Sequence, residues 1–211
     1  MPRCGIIVFQ GTNCEVDTYR ACEYMGLKPE YIWADECITK IYDLIIIPGG
    51  FSYGDCISSG RIAKFTSAIK TLPLRETLIV GICNGFQILC ETKLLNGALL
   101  TNKNTKFLSK YSKIIFQGKE LIIPIAHHQG NFYSPDKINK KFQEQILMTY
   151  ANDENGSDFK IAGLYDKRNK IIGMMPHPER AIFKETGSTD GRIIFEFIKN
   201  EIRWIKKKTK Y

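Results

Sequence analysis

In the segment LIVGICNGFQ (residues 78–87), a pattern typical of a strand gives way at Cys83 to one typical of a helix, and this change decides the fold. The residues before Cys83 are apolar and partly β-branched, which is typical of a strand buried on both faces, while those after it suit a helix. Gly81 and Gly85 permit the close backbone approaches of a tight strand-to-helix turn. A cysteine on such a turn projects above the sheet, where the helix N-terminus favours its thiolate. We therefore interpret Cys83 as a nucleophile; the alternative is a small buried apolar residue, the usual state of a free cysteine.

Similar apolar runs recur in the first half of the chain and alternate with amphipathic stretches. This alternation is typical of a parallel sheet covered by helices. The sequence predicts an α/β fold, a doubly wound, mostly parallel sheet with flanking helices. Its strands are expected at 4–9, 31–33, 43–48 and 78–82, and its helices at 15–25, 58–69 and 84–92.

The pattern changes between residues 99 and 176, where short extended runs follow one another at 113–116, 120–125, 147–151, 161–165 and 171–175. Gln117-Gly118 and the segment 166–169 provide turn residues between two pairs of these runs, so we expect hairpins. They predict a small antiparallel β region. A final helix from about Asp190 should cover a sheet face, because its apolar residues recur at helical spacing. We expect one domain over residues 1–211.

Composition and charge indicate which general classes of protein the chain can belong to. The chain has 211 residues, of which 44% are hydrophobic and 25% charged, as in ordinary globular domains. The net charge of +8 comes from scattered lysines without interleaved aromatic residues, so we expect no nucleic-acid partner. The apolar run at 4–9 is too short for a signal peptide or a membrane span, which predicts a cytoplasmic protein. Seven cysteines without regular spacing predict reduced thiols, most of them packing or surface residues.

A nucleophilic cysteine needs a base, and the chain has three histidines, at 127, 128 and 177. We favour His177 because Pro176 and Pro178 stiffen the backbone around it directly after a predicted strand. In an extended segment, residues two apart point to the same side, so Glu179 is expected to orient the imidazole. The alternative is a surface loop carrying a solvated histidine and glutamate.

Acyl transfer also requires donors for an oxyanion. The backbone N–H of Asn84 is one by position, and that of Gly50 is the other, because the turn 48–51 leaves a neighbouring central strand at its carboxyl end. Gly49 and Phe51 on this turn are expected to border the substrate; the simpler alternative is that the glycines only turn the chain. Gln87 lies one helical turn after the cysteine and is expected to contact the substrate or, alternatively, to face solvent.

These motifs resemble the class I glutamine amidotransferases, which carry a G-x-C-x-G-x-Q turn, a P-G-G turn and a late H-P-E. Within that class, the sequence is most similar to the glutaminase subunits of phosphoribosylformylglycinamidine synthase. This similarity is carried by the segments VFQGTNC (8–14), PGGFSYGD (48–55), GICNGFQ (81–87) and PHPER (176–180). The resemblance extends over nearly the whole chain.

The resemblance implies a glutaminase that works through a cysteine thioester and supplies ammonia to a separate synthetase chain in purine biosynthesis. It further implies that ATP and Mg²⁺ belong to that partner, which agrees with the lack of a phosphate-binding P-loop motif here, and that a small bridging subunit completes the complex. We expect no cofactor in this chain. We also expect no metal site, because the His127-His128 pair has no third ligand spaced near it.

The segment 126–130 departs from the family, which has Ala-His-Gly-Glu-Gly where this chain has Ala-His-His-Gln-Gly. His128 and Gln129 are therefore placed by the resemblance close to bound glutamine, but without the carboxylate that would attract its α-ammonium group. Cys56, Ser58 and Ser59 also replace bulkier residues.

Two further interpretations remain open at this stage. One is a free-standing cysteine hydrolase on the same fold, although such relatives usually have a histidine directly after the cysteine, where this chain has Asn84. The other is a catalytically weak or inactive scaffold subunit of the same complex, which the change at Gln129 would allow.

Overall fold

The computed structural model describes residues 1–55, 59–74, 76–134 and 140–208. These residues form a nine-stranded mixed sheet with flanking helices and a separate two-stranded sheet. The predicted α/β fold class is thereby confirmed. In chain order, the strands are β1 (Arg3–Val8), β2 (Lys28–Trp33), β3 (Leu44–Ile47), β4 (Leu78–Ile82), β5 (Ala98–Leu100), β6 (Leu108–Phe116), β7 (Lys119–His127), β8 (Asn131–Tyr133), β9 (Ile146–Tyr150), β10 (Ile161–Asp166) and β11 (Ile171–Met174).

The first part of the large sheet is parallel, in the order β2-β1-β3-β4-β11. Its central strands β3 and β4 are completely buried, as expected for strands with apolar residues on both faces. Because β4 lies between β3 and β11, the turns that follow these three strands meet at one edge of the sheet. The predicted catalytic residues lie on those turns.

The second part of the sheet is antiparallel and continues as β10-β9-β6-β7. The predicted hairpins are present: β6 and β7 join at Gln117-Gly118, and β10 and β11 join across residues 167–170. These strands extend the main sheet. The separate small sheet pairs β5 with β8, which the sequence analysis did not predict because each strand has only three residues.

The helices are α1 (Glu15–Tyr24), α2 (Ser67–Lys70), α3 (Asn84–Glu91), α4 (Lys140–Gln143) and α5 (Gly191–Lys208). Three of them match the predicted helices at 15–25, 84–92 and from 190 onward. Helix α3 packs on β3, β4 and β11, and α5 packs on β4. Among the described helices, none has the length and apolar character needed to cross a membrane.

The predicted helix at 58–69 is wrong. Ser58, like Cys56, lies outside the described residues, and the following segment contains turns, a short 3-10 helix at Ala63–Phe65 and only then α2. Thr66 separates the two short helices in an extended conformation, and its hydroxyl donates a 2.8 Å hydrogen bond to the carbonyl oxygen of Ala63. This local bond competes with a continuous helix.

Candidate active site

Cys83 occupies the turn between β4 and α3 in a backbone conformation that is unusual for a side-chain-bearing residue. Its φ is 50° and its ψ is −104°. A 2.7 Å hydrogen bond from its N–H to the carbonyl oxygen of Met174 anchors the turn to the neighbouring strand. Strain of this kind persists where the surrounding structure enforces it, and such residues cluster at active sites. The geometry agrees with the nucleophile interpretation.

The two glycines of the motif are required by packing. A side-chain carbon at Gly85 would overlap the carbonyl oxygen of Ile47, the last residue of β3. At Gly81, a side-chain carbon would lie 2.6 Å from the backbone of Gly85. Without side chains at these positions, α3 can begin directly against β3 and β4 and present the thiol at the sheet edge.

His177 and Glu179 form a buried pair beside this turn. The Nδ1 atom of His177 lies 2.6 Å from Oε1 of Glu179, and each residue is only 2% exposed. The predicted extended backbone is wrong, since Pro178–Arg180 forms a single 3-10 turn. Pro178 begins that turn with its fixed φ, and the turn folds the carboxylate back onto the imidazole.

Electrostatics favour a protonated imidazole at this position. Burial lowers the pKa of His177, but the negative charges of Glu179 and Cys83 outweigh it and hold this pKa well above its usual value. The thiol of Cys83 also contacts the carbonyl oxygen of Ala126 at 3.5 Å. A charged imidazole at this position can act as a general acid toward a leaving group.

A pocket of about 180 Å³ opens over Cys83. It has the size for one small amino acid, well below the volumes typical of nucleotide or drug sites. The predicted residues Gly50, Phe51, Gln87, His128 and Gln129 all line it, as do Asp55, Ser59, Ala126 and His127. Their predicted role in binding substrate remains a prediction.

Asn84 follows the nucleophile directly and Gly50 lines the pocket over it; their role as oxyanion donors remains a prediction. Asn84 begins α3, so its N–H is among the first-turn donors that lack an intrahelical acceptor. Gly50 forms an isolated β-bridge with Thr12, which fixes the turn after β3 at the pocket. Gly49, which was also predicted to border the substrate, is not among the described residues that line the pocket; it lies against His177, where a side-chain carbon would come within 2.7 Å of the ring.

A chain of amide hydrogen bonds holds the pocket together. The side chain of Asn84 accepts a hydrogen bond from the N–H of Ser52 and donates one to Oε1 of Gln87 at 2.9 Å. Gln87 in turn donates to the carbonyl oxygen of Gln129 at 2.6 Å. The alternative of a solvent-facing Gln87 is wrong, since this residue is 6% exposed and links the nucleophile helix to the segment after β7.

The segment 126–130, whose sequence differs from the family pattern, is held by hydrogen bonds to other parts of the chain. His127 bonds to the side chain of Asn102 at 3.0 Å, and burial lowers its pKa to about 4, so it is neutral at physiological pH. His128 is exposed and bonds to the carbonyl oxygen of Thr105 at 3.2 Å. Gln129 accepts a 3.2 Å hydrogen bond from the N–H of Ser59 through Oε1. A glutamate at position 129 would keep this bond and add a charge.

Cys14 is a site residue that the sequence analysis missed. Its thiol is buried, lies in hydrogen-bond contact with His177 and accepts a 3.2 Å hydrogen bond from Arg180. Burial raises the pKa of this thiol, and the hydrogen bond to His177 partly offsets the rise. The signal was present in the segment VFQGTNC, which carried the family resemblance.

A second, larger cavity of about 760 Å³ reaches the catalytic pair from outside the small pocket. Its lining includes Asp17, Ala126, His177, Glu179 and Arg180. Asp17 and Arg180 form an ion pair at 3.0 Å beside the catalytic pair. This cavity therefore extends to the outer side of the catalytic pair.

Comparison with known proteins identifies the family to which the chain belongs. A family model described as a CobB/CobQ-like glutamine amidotransferase domain matches residues 1–193. The chain belongs to this family of glutamine amidotransferases. Within it, the sequence is 40% identical to the phosphoribosylformylglycinamidine synthase subunit PurQ of Thermotoga maritima, over 96% of this chain and 99% of the relative. The resemblance that the motifs indicated is thereby confirmed.

Solved structures agree with this assignment. A structure described as PurLQS from Thermotoga maritima contains a chain that is 39% identical, with a TM-score of 0.86 and coverage of 94% of this chain and 98% of that one. A protein from Thermoplasma acidophilum, described as a subunit of a putative GMP synthase, superposes with a TM-score of 0.69 at 16% identity, over 100% and 99% of the two chains. The second likeness concerns the fold alone.

Proposed function

We propose that this chain hydrolyses L-glutamine to glutamate and ammonia as the glutaminase subunit of phosphoribosylformylglycinamidine synthase. The observation that carries the proposal is the meeting of Cys83, His177 and Glu179 at one edge of the sheet in a glutamine amidotransferase. The name of the 40% identical relative supports the particular pathway. The small pocket over the thiol supports an amino acid as substrate.

The reaction begins with attack of the Cys83 thiolate on the side-chain carbonyl carbon of glutamine. The oxyanion that forms is stabilised by the backbone N–H groups of Gly50 and Asn84. Protonated His177 gives its proton to the departing nitrogen, so that ammonia leaves and a γ-glutamyl thioester remains. His177 then takes a proton from water, which attacks the thioester and releases glutamate. Glu179 keeps the imidazole oriented throughout.

The ammonia is used by a separate chain. We propose that a synthetase subunit, which binds ATP and Mg²⁺, uses it to convert formylglycinamide ribonucleotide into formylglycinamidine ribonucleotide. A small bridging subunit is part of the same proposal. The solved relative described as PurLQS supports an assembly of this kind. The proposed site of action is the cytoplasm.

The two competing interpretations are less well supported. A free-standing cysteine hydrolase does not account for the 40% identity with a synthase subunit over nearly the whole chain. An inactive scaffold does not account for the close, buried contact between His177 and Glu179 beside a strained Cys83. Strain and buried charge cost stability and are retained where they serve a reaction.

The experiment is glutamate release from glutamine by the purified chain, with and without the synthetase chain, its ribonucleotide substrate and ATP. We expect release that rises with the synthetase and is lost in Cys83→Ala. The exposed Cys37 provides a matched control, since Cys37→Ala should keep full activity. No release by the folded wild-type chain under any of these conditions would favour the scaffold interpretation instead.

A further inference from the structure

Three side chains of metal-binding type converge beside the catalytic pair, although they are far apart in the sequence. Cys14, His177 and Glu179 each place one ligand-type atom within 4.8 Å of the other two. A thiolate, an imidazole and a carboxylate are the three groups that bind Zn²⁺ in proteins, and three such ligands leave one coordination position open. The spacing of histidines in the sequence did not predict this cluster, because its members come together only in the fold.

The glycine turn after β3 lies against two of these side chains. A side-chain carbon at Gly49 would lie 3.1 Å from Sγ of Cys14 and 3.4 Å from Nδ1 of His177. Oε1 of Glu179 is 2.6 Å from the same nitrogen. Zinc ligands lie 2.0–2.3 Å from the metal, so three atoms within 4.8 Å of one another can share one ion once the side chains adjust.

A second observation points independently to a ligand. Oε2 of Glu179 is buried and has no hydrogen-bond partner among the described residues. A buried carboxylate oxygen without a donor is costly, and a cation would satisfy it. The cavity of about 760 Å³ is lined by both His177 and Glu179 and so comes close to this buried oxygen.

We propose that Cys14, His177 and Glu179 form a binding site for a thiophilic divalent cation such as Zn²⁺, and that its occupation inhibits the enzyme. On binding, Zn²⁺ replaces the proton of the Cys14 thiol and the proton on Nδ1 of His177. Both protons go to solvent and no electron is transferred. The metal separates His177 from Glu179 and holds the imidazole away from its catalytic role.

A metal ion bound at this site should inhibit the enzyme without competing with glutamine. The cation leaves the pocket over Cys83 open, so it should lower the maximal rate without competing with glutamine. This part rests on the proposed function, whereas binding of the metal does not. A chain that binds Zn²⁺ as described but releases no glutamate would contradict the proposed function and leave the site intact.

The test measures binding in the Cys83→Ala background, which removes the catalytic thiol as a ligand. Zn²⁺ affinity is measured by competition with a chromophoric chelator, and Co²⁺ reports thiolate coordination by its charge-transfer absorption. We expect Cys83→Ala to bind Zn²⁺ and to show the Co²⁺ band. Adding Cys14→Ser should weaken Zn²⁺ binding at least about tenfold and abolish the band.

Two controls keep the test decisive. Cys37→Ser in the same background removes an exposed thiol and should leave both readouts unchanged. Glu179→Gln in the same background removes another ligand while keeping the shape, and it should also weaken binding if the Cys14 variant fails to fold. Binding and a Co²⁺ band that survive the removal of Cys14, or that disappear already in Cys83→Ala, would overturn the site.

Discussion

The Nδ1 atom of His177 lies 2.6 Å from Oε1 of Glu179 in a region that is almost completely buried. This contact occupies Nδ1 and leaves Nε2 for the reaction, and the charges of Glu179 and Cys83 outweigh burial and raise the pKa of the imidazole. A short turn beginning at Pro178 creates it, and the backbone of His177 is held by a 2.8 Å hydrogen bond from its N–H to the carbonyl oxygen of Pro124. The turn at the end of β11 therefore fixes the orientation of the acid/base residue His177.

We predict that Glu179→Gln lowers kcat for glutamine hydrolysis by roughly a hundredfold or more, with a smaller effect on KM. The amide keeps the shape but no longer stabilises the imidazolium or fixes its tautomer. Steady-state kinetics with the assembled complex measure the effect. Glu185→Gln is the matched control, because this exposed glutamate lines the larger cavity without contacting the imidazole. Equal losses in both variants would contradict an orienting role for Glu179.

Gln129→Glu should lower KM for glutamine and change kcat less. The carboxylate can keep the hydrogen bond from the N–H of Ser59 and adds a charge next to the pocket, where it attracts the α-ammonium group of the substrate. The measurement is KM with the synthetase present. Gln143→Glu, on an exposed position of α4, adds the same charge elsewhere. An unchanged or higher KM in Gln129→Glu would show that the α-ammonium is recognised by other groups.

Gly85→Ala should destabilise the protein by several kcal/mol, on the order of 3. The added carbon overlaps the carbonyl oxygen of Ile47, and the backbone at that position of β3 cannot move aside as a flexible side chain could. The free energy of unfolding in urea measures the effect. Gly118→Ala is the comparison: its φ is +75°, and the position has open space around it, so only strain of about 1–2 kcal/mol is expected. Equal losses would show that packing against β3 is not what requires the glycine.

His127 should make stability depend on pH. Burial lowers its pKa from 6.5 to about 4, so the unfolded chain binds more protons than the folded chain between these values. The contribution is fully present above pH 6.5 and is lost as the pH falls toward 4, by up to about 3 kcal/mol. We expect His127→Gln to reduce the slope of unfolding free energy against pH in this window. His128→Gln, which removes an exposed imidazole, is the control; equal slopes in wild type and His127→Gln would contradict the prediction.

The sequence predicted those parts of the molecule in which local pattern and final environment agree. The turn at Cys83 is an example, because its apolar strand, its glycines and the start of its helix all lie within ten residues of sequence. The fold class followed from the alternation of apolar and amphipathic stretches, and the family from this turn together with the segments 8–14, 48–55 and 176–180. Both are supported by the matches to known proteins.

The parts that sequence reasoning missed depend on contacts between distant segments. Cys14 was counted with the packing cysteines because nothing near it in the chain shows that His177 lies beside it. The helix expected at 58–69 failed because the hydroxyl of Thr66 bonds locally and interrupts it. His177 and Glu179 were paired correctly, but through a 3-10 turn in place of an extended strand end.

Covalent labelling by a glutamine analogue that carries an electrophilic diazoketone in place of its amide tests the central claim most directly. The analogue should enter the small pocket and alkylate the nucleophile, and peptide mass spectrometry locates the modified residue. We predict modification of Cys83 among the seven cysteines, protection by glutamine and no labelling of Cys83→Ala. Labelling at another cysteine, or equal labelling of Cys83→Ala, would contradict the assignment of Cys83 as the nucleophile.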